Sequence, residues 1–176
     1  MSELSYSQTL LVSDIPPQGL DLTLTPDAAV CAAVAKHLDI PAVLSLSARL
    51  HIGQERADGA RVTGVVKARV TQISVVSLEP FDEDVTEDVD VRFATAAIIA
   101  REVADAPEDG DFDPPDLIEN GTIDLGVLVT EFLALGLEAY PRKSGEVFEP
   151  HLESTGDEPE AKESPFAALA QLKNKP

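Results

Sequence analysis

The stretch Gly121–Pro141, GTIDLGVLVTEFLALGLEAYP, decides the fold class, because it is the longest segment of the chain with an unambiguous helical period. Leu125, Leu128, Val129, Phe132 and Leu135 recur at three- and four-residue spacing and so form one apolar stripe. Thr122 and Asp124 both have side-chain oxygens able to cap free backbone N–H groups at the start. Pro141 stops the helix, since it has no N–H to donate and restrains the residue before it. A helix with a single apolar stripe packs on a sheet or on other helices, which leaves the opposite face free. Glu131 and Glu138 stand on that free face, about two turns apart, as candidate partner contacts.

Upstream, the period changes from helical to alternating. Leu44, Leu46, Ala48, Leu50 and Ile52 alternate with Val43, Ser45, Ser47, Arg49 and His51, the pattern of a strand with one buried face. After a breaker-rich turn ending in Asp58-Gly59, Val62, Val66, Ala68 and Val70 alternate with Arg61, Thr63, Lys67 and Arg69. The pair reads as an antiparallel hairpin. Near Gln72 the apolar phase flips, so that Ile73 and Val75 take the formerly polar side; a β-bulge, or a strand crossing into a second layer, would account for it. A third strand is expected from Glu87, with Val89, Val91 and Phe93 alternating with Asp88, Asp90 and Arg92, and continuing to about Ile99.

The N-terminal part reads as two short strands, Gln8–Ser13 and Leu20–Leu24, around Pro16-Pro17. Thr25-Pro26 then starts a short helix in which Val30, Val34 and Leu38 form an apolar row, ended by Ile40-Pro41. The fold class is therefore α+β. The sheet is twisted and antiparallel, with about five or six strands and two main helices, or it is a partly open barrel if the flip at Gln72 bends the strands.

Residues 101–121 are acidic and broken by proline and glycine, which predicts an exposed loop with a short ordered piece at Leu117-Ile118. The same reasoning makes 145–163 a disordered acidic linker following a single domain over 1–144. Residues 164–176 differ from the linker: Ser164-Pro165 repeats the cap-plus-proline start, Phe166, Leu169, Ala170 and Leu172 share one face, and Lys173 and Lys175 suit a helix C-terminus. A short amphipathic helix on a tether suits docking, which makes Pro165, Phe166, Leu169 and Leu172 candidate partner-binding residues.

Composition narrows the function. A chain of 176 residues with 44% hydrophobic content buries one core. It contains no apolar run long enough to span a bilayer and no basic-then-apolar leader pattern, so a cytoplasmic location without a membrane partner is expected. Cys31 is the single cysteine, and with only three histidines there is no Cys/His spacing for zinc; Cys31 and His37 read as structural. No Ser/His/Asp arrangement, phosphate-cradling loop or dinucleotide motif is present, so neither cofactor nor small-molecule substrate is expected.

A net charge of −19 repels a phosphate backbone at long range. The charge is unevenly spread: five basic against two acidic residues give +3 over 41–78, and fifteen acidic against two basic give −13 over 79–119. Arg49, Arg61, Lys67 and Arg69 on the hairpin form the one basic island. It is either a nucleic-acid surface or neutralised by the acidic run Asp82–Asp90 on the next strand. The carboxylates Asp82, Glu83, Asp84, Glu87 and Asp88, or Asp109, Asp111, Asp113 and Asp116, leave open an enzyme that holds Mg²⁺ for phosphoryl transfer. These runs sit on apparent loops, whereas nucleases of that kind combine carboxylates from separate rigid strands with a Lys or His.

Three stretches, VTQISVVSLEPF (Val70–Phe81), IDLGVLVTEFLALGLEAYP (Ile123–Pro141) and SPFAALAQLK (Ser164–Lys173), resemble in order and spacing the YceD family of large ribosomal RNA subunit accumulation proteins in its alphaproteobacterial form. The resemblance implies a non-catalytic role in accumulation or processing of large-subunit (23S) rRNA, hence in ribosome assembly. A ribosomal protein or assembly component is the implied partner, with rRNA as a second candidate. Many members of the family carry a cysteine, or a Cys-x-x-Cys pair, where this chain has Ser74 and Ser77. A hydroxyl is a poor zinc ligand and no redox couple, so a metal or redox role does not transfer to these positions.

Overall fold

The computed structural model describes residues 6–55, 59–107 and 112–146. The linker beyond Glu146 and the motif with Pro165, Phe166, Leu169 and Leu172 lie outside the described residues, as do Asp109 and Asp111 of the second acidic cluster.

The fold is α+β, built on a five-stranded sheet in the order β2 (Leu20–Leu24), β3 (Ala42–Glu55), β4 (Gly59–Ile73), β5 (Pro80–Ala94), β6 (Asp116–Leu117). Neighbours are antiparallel except β5 and β6, which run parallel. A second, two-stranded sheet pairs β1 (Thr9–Leu11) with β7 (Thr122–Asp124). The register aligns the apolar rows the alternation demands: Ile52 faces Val62 and then Val91, while Leu46 faces Ala68 and then Val85. Helices α1 (Ala28–His37) and α3 (Leu125–Leu135) cover this inner face. Val34 packs over β3, and Leu125, Val129 and Leu133 over β4 and β5, all fully buried. The outer face is polar and exposed.

Two close approaches admit only glycine. Gly64 sits at φ +155° on β4, where a Cβ would lie 2.0 Å from the Arg49 carbonyl oxygen. Gly126, in the first turn of α3, lets the backbone of Tyr6, Ser7 and Gln8 cross the helix, with a Cβ meeting all three within 2.9 Å.

The structure corrects several expectations. The sheet is open, not a barrel, because β4 runs straight through Gln72 in unbroken register with Phe81. The inversion at this point is one of polarity alone: Gln72 and Ser74 stay on the buried side while Ile73 and Val75 stay outside. The bulge lies in β3 instead, between Val43 and Ser45; it turns Val43 inward and leaves Leu44 exposed.

The third long strand starts at Pro80, not Glu87, so Asp82–Asp88 alternate along a strand and not a loop. It ends at Ala94, and the segment read as its continuation is a third helix, α2 (Ala96–Asp105). Ile98 and Ile99 prolonged the strand-like pattern, but three of the five residues Ala96–Ala100 are alanines, and Arg92 holds Glu102 against the sheet.

Helix α1 is capped by Asp27, whose carboxylate accepts the Val30 N–H at 2.9 Å, and Thr25-Pro26 precede it. Helix α3, expected to run on to Pro141, is shorter, ending at Leu135 with Gly136 as its C-cap. Leu135 is therefore exposed and Leu133 takes its place in the core. Glu138 lies past the helix end, so it does not share a face with Glu131.

Candidate functional site

The basic stripe exists as the alternation implies. Arg49 on β3 and Arg61, Lys67 and Arg69 on β4 all project from the outer face. The neighbouring β5 places its aspartates on the same face, because strand pairing puts Thr63 opposite Asp90 and Arg69 opposite Asp84. Arg61 donates from Nε and Nη2 to the two carboxylate oxygens of Asp90, both at 2.7 Å. That hydrogen bond raises the Arg61 pKa and lowers that of Asp90. Arg69 lies 3.3 Å from Asp84 and 3.7 Å from Asp82, and His51 contacts Asp21 at 2.7 Å. Arg92 bridges Glu55 and Glu102. Among the described residues, Arg49 and Lys67 are the stripe members with no ion pair.

Glu131 and Glu138 occupy different surroundings. Glu131 lines a cavity of about 550 Å³ with Asp116, Glu119 and Asp124; partial burial and then the Asp116 charge raise its pKa. Glu138 faces β5 across a cavity of about 430 Å³ that it lines with Glu83, Tyr140 and Arg142. Glu83 projects inward from β5 opposite Val70, and burial followed by the Glu138 charge raises its pKa. Gln72, 5% exposed, donates its amide N–H to the Glu138 carbonyl at 3.4 Å. Gln72 Oε1 and Glu83 Oε1 are both sealed from solvent without a hydrogen-bond partner.

Next to this cavity the β4–β5 turn is tied to the segment that follows α3. Ser74 is fully buried; its hydroxyl accepts the N–H groups of Val76 at 3.1 Å and Ser77 at 3.4 Å and donates to Glu146. Ser77 donates to the other Glu146 oxygen at 2.6 Å, and the Lys143 N–H reaches Glu146 at 3.2 Å. Hydrogen bonds from Ser74 and then Ser77 lower the Glu146 pKa. Val75 N–H donates to the Pro141 carbonyl at 2.9 Å. The Ser74-x-x-Ser77 pair thus holds a carboxylate.

The grouping of Gln72, Glu83, Glu138 and Glu146 is absent from the sequence reading. Two polar residues, Gln72 and Ser74, standing in the inward phase were its only local signal. The buried Cys31 thiol is pushed up by burial and then by Asp27, the state of an unreactive core thiol. Among the described residues no helix is long and apolar enough to cross a membrane, and no three His, Cys, Asp or Glu side chains gather where they could hold a metal ion.

A family model described as "Large ribosomal RNA subunit accumulation protein YceD" matches residues 62–173, from near the start of β4 through α3 and on into the C-terminal motif. No curated protein and no solved structure matches the chain. Because the match spans more than half of the sequence, the chain belongs to the YceD family of large ribosomal RNA subunit accumulation proteins.

Proposed function

We propose that the protein is a non-enzymatic, cytoplasmic factor in the accumulation and processing of large-subunit (23S) rRNA that acts as an acidic adaptor for a basic protein component of ribosome assembly. Membership of the family supplies the link to large-subunit rRNA. The observation that supports an adaptor over an RNA-binding protein is the pairing of β4 with β5. A phosphate approaching Arg61 or Arg69 competes with Asp90, Asp84 and Asp82, which are already in place. Ribosomal proteins are basic when free of RNA, and a chain of net charge −19 meets them quickly through long-range attraction.

Capture from a lysate by the full chain, read by mass spectrometry and RNA sequencing, tests this reading. A Phe166→Ala, Leu169→Ala protein is expected to keep its melting temperature and lose its protein partner. Recovery of rRNA without protein would defeat the adaptor. A fall in stability of several kcal/mol, the size of a large-to-small core change, would place the two side chains in a core. Arg49 and Lys67, which have no ion pair, favour a second reading as an RNA surface. That reading requires rRNA affinity that falls steeply with salt and disappears in an Arg49→Glu, Lys67→Glu protein.

A further inference from the structure

The long strand β5 has an open edge over most of its length. It spans Pro80–Ala94 in unbroken register with β4, yet β6 pairs with it only at Phe93 and Ala94. Pro114 and Pro115 precede β6 and have no N–H with which to extend that ladder. The Ala94 carbonyl accepts the Ile118 N–H, so the main-chain groups of Ala94 face away from β4. Alternation along a strand without a bulge gives the same direction to those of Asp82, Asp84, Thr86, Asp88 and Asp90. Among the described residues, no main-chain hydrogen bond from outside the sheet reaches these five.

An open edge running from Asp82 to Asp90 is a template for another strand, and its side chains select which one. All five residues are exposed on the outer face, and four of them are aspartates. On the β4 side the structure shows what these accept: Arg61 binds both carboxylate oxygens of Asp90 at 2.7 Å, and Arg69 reaches Asp84 at 3.3 Å and Asp82 at 3.7 Å. Two arginines against four carboxylates leave negative charge over, and Asp88 has no ion pair among the described residues. A second copy would set aspartate against aspartate, and RNA phosphates are repelled. The chain's own residues 147–163 carry six acidic residues against one lysine, so they too are repelled.

We propose that the free edge of β5 takes up an extended basic segment of a protein partner as an added strand in line with β6. The partner's main chain bonds to Asp82, Asp84, Thr86, Asp88 and Asp90, and its lysine or arginine side chains, at every second position, lie over the aspartates. Main-chain bonds supply the affinity and the alternate charges the selection. This inference rests on the adaptor reading and deepens it, giving the partner's chemistry and a place of contact separate from the C-terminal motif.

The test uses the full chain, ¹⁵N-labelled. In the free protein the amide hydrogens of Asp82, Asp84, Thr86, Asp88 and Asp90 should exchange fast and those of the residues between them slowly. Slow exchange at all of them without a partner shows that the edge is already covered and overturns the inference. A peptide of about nine residues alternating lysine and threonine, at saturation, should slow exchange at those five amides at least tenfold. It should bind at least tenfold more tightly than the same peptide N-methylated along its main chain, which keeps the charge and lacks the donors, and than the same peptide with glutamate for lysine. Thr86→Pro removes an N–H from the open side and none from the β4 ladder; it should weaken binding at least tenfold while the spectrum outside β5 stays that of the parent, and Thr86→Val should bind as the parent does. Asp84→Asn with Asp88→Asn should weaken binding at least fivefold, whereas Asp39→Asn with Asp105→Asn should leave it unchanged. The inference is overturned if the lysine peptide does not bind, if its N-methylated form binds equally, if the two aspartate pairs act alike, or if a single-stranded RNA oligonucleotide protects the edge instead. In lysate capture, a basic protein retained equally by the Thr86→Pro chain overturns the edge alone, and capture of no protein by the parent overturns the adaptor reading.

Discussion

Asp124 accepts the backbone N–H of Gln8, 116 positions earlier in the chain, at 2.9 Å, and the same Oδ1 atom caps α3 by accepting Gly126 N–H at 2.9 Å and Val127 N–H at 3.2 Å. Its second oxygen accepts the Ser7 hydroxyl. One side chain therefore starts the central helix and pins the N-terminal strand across it, at the point where Gly126 allows the crossing.

Replacing Asp124 by alanine should cost about 2 kcal/mol, the upper part of the range for a lost N-cap, because a strand anchor disappears with the cap. Burial acts to raise the Asp124 pKa, but bonds from Ser7, Gln8, Val127 and Gly126 outweigh it and leave it lowered. A lowered folded pKa gives stability that is present above the ordinary aspartate value of 3.8 and is lost as pH falls through the folded value. Chemical denaturation across pH 2 to 7 should show this acid loss in the parent and a shallower one in Asp124→Asn; equal slopes would refute it.

Glu83 should behave in the opposite sense. Its raised pKa means that the stability it contributes is complete below the ordinary glutamate value of 4.5 and is lost as pH rises through the folded value. Glu83→Gln should flatten that decline and raise the melting temperature at neutral pH. A lower melting temperature there would show that Glu83 has a counter-charge after all.

Gly64→Ala should destabilise the protein by about 3 kcal/mol or more, since the new methyl meets the Arg49 carbonyl within the β3–β4 ladder at a positive φ. Gly53→Ala, on the adjacent strand with nothing within 4 Å of its Cβ, serves as the control and should change stability by less than about 0.5 kcal/mol. Similar losses at both positions would contradict the close approach.

Reversing Arg61, Lys67 and Arg69 to glutamate should lower the melting temperature at low ionic strength and far less in molar salt, because the pairs with Asp90, Asp84 and Asp82 are exposed and screened. A loss independent of salt would mean that the stripe is held by packing.

Helix α3 was legible from its spacing, and so was the hairpin, because side-chain periodicity is a local property that one burial face imprints on the chain. Helix α2 was not legible: Ile98 and Ile99 are as much at home in a strand, and no residue of that helix is buried to mark its period. The run Asp82–Asp88 has no strand signal for a related reason, since acids sit on both faces there and Glu83 and Glu87 occupy the inward phase.

The sequence by itself determined the α+β class, the strand that carries the basic stripe and, in Asp124, the cap from which its central helix starts, all of which depend on residues a few positions apart; Thr122, the other capping candidate, instead donates its hydroxyl to the Glu119 carbonyl. Only the tertiary structure decided that the stripe is matched by β5, that Gln72 and Ser74 could be buried as polar residues, and that Glu138 leaves the helix to meet Glu83. The physical reason is that a buried polar group needs a partner, and for these residues distant elements supply part of it. The partners here lie 66 positions away for Gln72 and 72 for Ser74, beyond the reach of any local pattern.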